Sequence, residues 1–147
     1  MKTINKFTMT LDSYSSNEYF ARAAVSAFIT QLDPTLEELN DIKTAVSEAV
    51  TNCIVHAYKE KIGKIYISVE ILDGCVVRIK IRDRGCGIPD VKQAMEPLYT
   101  TVGGERAGLG FAVMESFTDK IRVSSKINKG TSVTLTKKLN IRVKGNA

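Results

Sequence analysis

The hydrophobic pattern changes period once, at Gly63, and that change limits what the chain can fold into. Before it, apolar residues recur at helical spacing. Phe20, Ala24, Ala27, Phe28 and Leu32 mark a first helix that stops before Pro34. Leu39, Ile42, Val46, Ala49, Val50 and Cys53 mark a second that runs to Tyr58. Ser15 with Glu18 and Thr35 with Glu38 supply a capping-box pair for each helix. Beyond Gly63 the apolar residues alternate. Ile65, Ile67, Val69 and Ile71 lead to the tight-turn dipeptide Asp73-Gly74, and Val77, Ile79 and Ile81 alternate again, which predicts a β-hairpin. Looser alternation predicts an edge strand over Thr3 to Leu11. Two final strands follow from Ile121 and Val123, then Val133 and Leu135, joined by Asn128-Lys129-Gly130. Short helices are expected around Val91 to Met95 and from Leu109 to Phe117. The expected fold is α+β, a two-layer sandwich with helices packed on one face of a mainly antiparallel mixed sheet.

A chain of 147 residues, 44% hydrophobic and 25% charged, is one domain with apolar side chains enough for a core. No apolar run approaches the roughly 18 residues of a membrane span, and the first 20 residues hold no signal-peptide core. Cys53, Cys75 and Cys86 are odd in number and widely spaced, which offers neither a disulfide framework nor a zinc cluster and implies a reducing cytoplasm.

The net charge of +5 has a location. From Lys120 onward lie Lys120, Arg122, Lys126, Lys129, Lys137, Lys138, Arg142 and Lys144, with no acidic residue. Taking those eight from 21 basic residues leaves 13 against 16 acidic ones, so the rest of the chain is net negative. The basicity reads as one C-terminal edge, a solvated strand face with a basic tail from Lys137. No recognition element accompanies it, so no direct nucleic-acid binding is expected.

Three segments carry chemistry. In the second helix Glu48 and Asn52 are four apart and share a face, with His56 one turn further on. A carboxylate beside an amide suits a magnesium site that also needs a base, because magnesium takes hard oxygen ligands and keeps phosphates and waters as the others. By spacing alone a solvated polar helix face explains the pair better. Next, Asp83-Arg84-Gly85-Cys86-Gly87 closes the strongest strand; its glycines let backbone pass close to a ligand, and Asp83 can accept hydrogen bonds from an amine. Last, Thr100-Thr101 precedes Gly103-Gly104 and Arg106-Ala107-Gly108-Leu109-Gly110, a stretch suited to phosphates through Arg106 and converging N–H groups. Singly, a turn and a surface loop explain the second and third segments. No P-loop and no Rossmann fingerprint occurs.

In combination the segments are more specific. Glu48-x-x-x-Asn52, Asp83-x-Gly85-x-Gly87, Gly108-Leu109-Gly110 and Gly130-Thr131 follow in order, and this resembles the GHKL ATPase superfamily. Ser47-Glu48-Ala49-Val50-Thr51-Asn52, Glu96-Pro97-Leu98-Tyr99-Thr100-Thr101 and Met114-Glu115-Ser116-Phe117-Thr118-Asp119 are similar to the anti-sigma serine kinases of bacterial sporulation, over Ser16 to Leu135. The resemblance implies a single GHKL-type kinase domain over 1–147 that uses ATP and Mg2+. It would inhibit a sporulation sigma factor and phosphorylate a serine of an anti-anti-sigma partner, as a homodimer. Glu48 would be the general base and Asn52 the magnesium ligand. Asp83 would bind the adenine amino group with Thr131 nearby, and Gly85 and Gly87 would wall the adenine side. Thr100, Thr101, Arg106, Gly108, Leu109 and Gly110 would form the phosphate lid, with Arg106 also catalytic in stabilising charge on the transferring group, and Arg22 would touch the sigma factor. His56 is expected to pack at the helix end and Cys86 to fill space. Val102 departs from the family's usual lysine, and the segment from Thr101 to Arg106 is shorter than the family's. A stress-response anti-sigma kinase and a sigma-sequestering module without kinase activity are the alternatives. A sensor histidine kinase fits less well, since the only histidine, His56, lies inside the Glu48–Asn52 helix.

Overall fold

A computed structural model describes residues 1–96 and 110–140. Its strands are β1 (Thr3–Asp12), β2 (Lys64–Leu72), β3 (Val76–Asp83), β4 (Lys120–Lys126) and β5 (Gly130–Lys138). They form one sheet in the order β1-β2-β3-β5-β4, and each neighbouring pair is antiparallel. The period-two pattern explains which face is covered. Ile65, Ile67, Val69, Val77, Ile79, Ile81, Val133 and Leu135 are all buried on the inner face. The helices α1 (Ser16–Ile29), α2 (Leu36–Asn52), α3 (Val91–Ala94) and α4 (Phe111–Phe117) complete the described elements. Helix α2 packs against both α1 and α4 and supplies Ile42, Ala45, Val46, Ala49 and Val50 to the same core. The two-layer α+β sandwich is the fold.

The second capping box forms in full: Glu38 N–H donates to Thr35 Oγ1 at 3.0 Å, and Thr35 N–H donates to Glu38 Oε1 at 2.8 Å. The first does not. Ser15 makes no side-chain cap: its backbone is helical rather than extended and its carbonyl takes the Glu18 N–H at 3.2 Å, while the Glu18 carboxylate bonds Arg22 and Ser47. The buried face of α1 is also shifted by one residue. Ala21, Val25 and Ile29 face the core, whereas Phe20 is 54% exposed, Ala27 is exposed, and Ala24 and Phe28 are half-buried. A narrow stripe of small and β-branched side chains lets α1 lie close to α2, and a phenylalanine there would hold it away. Phe28 stacks instead on Phe7 of β1, with ring centroids 4.6 Å apart.

Two further differences concern turns. The β2–β3 loop spans three residues, since Leu72 pairs with Val76, and Gly74 and Cys75 both have positive φ. Helix α2 does not run evenly to Tyr58: from Cys53 to Ala57 it widens into a π-helical turn, closed by Tyr58 N–H on the Cys53 carbonyl at 3.2 Å. Such turns are frequent at functional sites.

The positive charge is spread more widely than one C-terminal edge. Lys6, Arg78, Lys80 and Arg82 share the outer sheet face with Lys120 and Arg122, because residues of one parity face outward on each strand. Lys137 is not a solvated tail residue. It is mostly buried and pairs with Asp41 at 3.3 Å. Arg142 and Lys144 lie outside the described residues.

Candidate functional site

A cleft of about 330 Å³ opens where the C-terminal end of β3 meets the π-helical turn, a volume within the usual range of small-molecule sites. Asn52, Asp83, Gly87 and Thr131 line it, with His56, Cys86, Ile88 and Phe111. Three residues distant in sequence converge because β5 lies between β3 and β4. That order sets Asp83, Thr131 and Ser125 side by side across the sheet.

Asp83 is the most buried charged residue described, at 5% exposure. Its Oδ1 accepts from Gly85 N–H at 2.9 Å and Thr131 N–H at 3.2 Å. Burial pushes its carboxyl above the usual aspartate value, and those two donors, with the Cys53 thiol, oppose the rise. The thiol is itself pushed well up, first by burial and then by the Asp83 charge, so it stays a neutral S–H beside the carboxylate. Tyr58 braces the same strand end. Its hydroxyl donates to the Lys64 carbonyl at 2.5 Å and accepts from Arg84 N–H at 2.7 Å. Arg84 itself points outward onto the Tyr66 ring, 5.0 Å from the centroid. Asp83 is thus a buried carboxylate held in the cleft wall by two backbone donors.

Gly87 and Gly110 are among the glycines around the cleft that cannot be replaced without strain. Gly87 has φ +78°, and a Cβ there would overlap the Lys126 carbonyl. Gly110, at φ +68°, caps α4, and a Cβ there would overlap the carboxylate of Glu48. Gly85 is fitted against the Ala57 carbonyl. Glu48 is half-buried, and its Oε2 is closed to solvent, as is Asn52 Oδ1. His56 lies in the last turn of the helix and lines the cleft, and its carbonyl accepts from the Cys86 thiol at 3.3 Å. Thr100, Thr101, Val102, Arg106, Gly108 and Leu109, assigned above to the phosphate lid, lie outside the described residues.

Arg22 is away from the cleft, on α1. It is paired within its own helix. Its Nε bonds Glu18 Oε2 at 2.9 Å, and Glu18 Oε1 accepts from Ser47 at 3.1 Å, one residue before Glu48. Around it Tyr14, Tyr19 and Phe20 are all more than half exposed.

Pattern reading missed Cys53, Tyr58 and Ser125. Cys53 fits the apolar stripe of α2 and so gives no polar signal. Tyr58 and Ser125 are single polar residues whose partners appear only on folding.

The histidine kinase-like ATPase domain matches residues 16–137. The chain is 54% identical over 138 residues to the anti-sigma F factor of Caldanaerobacter subterraneus subsp. tengcongensis, covering 93% of this chain and 96% of that one. It is 55% identical over 139 residues to the anti-sigma F factor of Clostridium botulinum (strain Eklund 17B / Type B), with the same coverage. The chain belongs to the anti-sigma F factor family of histidine kinase-like ATPase domains. Solved structures agree on the fold. A Mycobacterium tuberculosis chain with RsbU and RsbW domains superposes with a TM-score of 0.68 at 23% identity, over 92% of this chain and 32% of that one. The histidine kinase domain of an Erythrobacter litoralis blue-light activated kinase gives 0.58 at 19%, over 80% and 59%. An ATPase-type domain implies ATP binding. Among the described residues no helix is long and apolar enough to cross a membrane.

Proposed function

We propose that this chain is an anti-sigma factor that holds and inhibits a sporulation sigma factor, and a kinase that transfers the γ-phosphoryl group of ATP to a serine of an anti-anti-sigma protein. The observation that supports it most is the order of groups along α2. Cys53, just past the helix end, lines the cleft with Asp83, Asn52 precedes it on the same wall, and Glu48 lies one turn further back, about 6 Å along the axis. Adenine held at Asp83 then directs its phosphates toward Asn52 and Glu48.

The chemistry asks little covalent work of the protein. A serine hydroxyl attacks the γ-phosphorus, the new O–P bond forms as the bond to ADP breaks, and Glu48 takes the hydroxyl proton. Thr100, Thr101, Arg106, Gly108, Leu109 and Gly110 hold the phosphates. The Asn52 side-chain carbonyl fits Mg2+, since it is a hard oxygen closed to solvent on a residue that lines the cleft. Magnesium with one protein ligand takes the rest from phosphate and water, and it would neutralise phosphate charge. Arg22 and the exposed aromatics of α1 form the sigma-factor surface, and the working unit is a homodimer in the cytoplasm. The Pro97-Leu98-Tyr99-Thr100-Thr101 stretch favours the sporulation partner over a stress-response one. The presence of Glu48 argues against a module without kinase activity.

The test is incubation with γ-labelled ATP, magnesium and a candidate anti-anti-sigma protein. Label on a partner serine, dependent on this chain, is expected. An unlabelled partner would remove the kinase assignment.

A further inference from the structure

Ser125 stands one layer behind the cleft and is absent from its lining, yet it touches three parts of the wall. On β4 it pairs directly with Thr131 of β5. Its Oγ accepts from Ile88 N–H at 2.8 Å, donates to the Gly130 carbonyl at 3.1 Å, and lies 2.7 Å from Thr131 Oγ1. A hydroxyl has one proton to donate and two lone pairs to accept with. The arrangement in which all three contacts are hydrogen bonds puts that proton on the Gly130 carbonyl and has Thr131 donate the short contact. The Thr131 proton is therefore turned toward Ser125, and what Thr131 still offers the cleft it lines is a lone pair.

Thr131 is also beside Asp83, whose Oδ1 accepts the Thr131 N–H at 3.2 Å. The cleft thus presents two adjacent acceptors, one a carboxylate and one a hydroxyl whose direction is set from behind. We infer that Ser125 is a specificity-determining positioning residue, which fixes the Thr131 hydroxyl as an acceptor and so selects a 6-aminopurine over a 6-oxopurine. An exocyclic amine brings N–H donors to that spot. A 6-oxo group brings lone pairs against lone pairs, and a buried polar group left without its partner is what gives a site its discrimination. The inference rests on the reading of the cleft as an adenine-nucleotide site and adds how the base is chosen.

The test is calorimetric titration with ATP and with ITP, which carries oxygen at the purine 6-position and no 2-amino group. Wild type should prefer ATP clearly. Ser125→Ala frees the Thr131 proton to swing toward the base, and the ATP-over-ITP preference should shrink about 10-fold, the scale of one well-placed hydrogen bond. Ser125→Thr keeps a hydroxyl and should restore the preference. Thr131→Val removes the group being steered; it should narrow the preference by itself, and adding Ser125→Ala should then change nothing. Because Ser125 also braces Ile88, a purely structural role predicts that Ser125→Ala weakens both nucleotides equally, and an unchanged ratio overturns the inference. If Ser125→Ala does not fold, a wild-type ratio in Thr131→Val overturns it as well. Wild type that binds ATP and ITP alike leaves the nucleotide cleft standing and removes this inference. Wild type that binds neither removes both.

Discussion

The carboxylate of Glu48 fills the space that a side chain on Gly110 would need. Gly110 begins α4 in the left-handed region at φ +68°, so the proposed base and the start of a helix are fitted to one another. Gly110→Ala should fail twice. The left-handed conformation costs a residue with a Cβ about 1–2 kcal/mol. The Cβ must also push Glu48 aside, and a catalytic group moved by about 1 Å loses on the order of 10²-fold in rate. Thermal unfolding and phosphoryl transfer, measured on the same preparation, check both effects.

Asp83 should cost the fold stability at neutral pH while serving the ligand. Burial holds its carboxyl above the ordinary 3.8. A group raised in the folded state favours folding fully below its unfolded pKa, and that contribution is lost as pH rises through the folded pKa. Asp83→Asn removes the charge and keeps an Oδ1 that can accept from Gly85 and Thr131. Its melting temperature at pH 7 should therefore equal or exceed wild type, with the difference closing toward pH 4. ATP binding should weaken about 10-fold or more through the lost charge-assisted bond. Melting curves against pH and calorimetry read the two effects separately.

Tyr58 should matter to stability more than its place at a helix end implies. Its hydroxyl ties the start of β2 to the end of β3 through the Lys64 carbonyl and Arg84 N–H. Tyr58→Phe removes both bonds and should cost about 1–2 kcal/mol in urea unfolding. An unchanged midpoint would mean that the strand ends hold themselves.

Arg22 should act on the sigma factor alone. If its guanidinium is a central ion-pair anchor, Arg22→Ala should weaken sigma binding roughly 30-fold and leave ATP binding intact. Sigma-factor titration at wild-type affinity would move the docking surface elsewhere.

What could be read in advance followed from periodicity and spacing. The alternation of Ile65 to Ile71 and Val77 to Ile81 gives the inner face of the sheet residue by residue, and Thr35 with Glu38 gives the start of α2. Helix α1 was legible as a helix but not by face, because Phe20–Ala24–Ala27–Phe28 and Ala21–Val25–Ile29 are both apolar stripes. Close approach to α2 decides between them. Asn52 and Asp83, singled out by their motifs, both line the cleft, while Glu48 lies against Gly110. The π-helical turn at Cys53–Ala57 has no local signature, and Ser125 acquires its role only when β4 and β5 pair.

The most direct test of the kinase reading is Glu48→Gln, measured for ATP binding and for phosphoserine formation on the anti-anti-sigma partner. The amide keeps the shape that Gly110 accommodates and cannot take the hydroxyl proton. ATP affinity should stay close to wild type while transfer falls roughly 10²-fold or more, the scale of a lost general base. Transfer at a near-wild-type rate by this variant would contradict the assignment of Glu48 as the base.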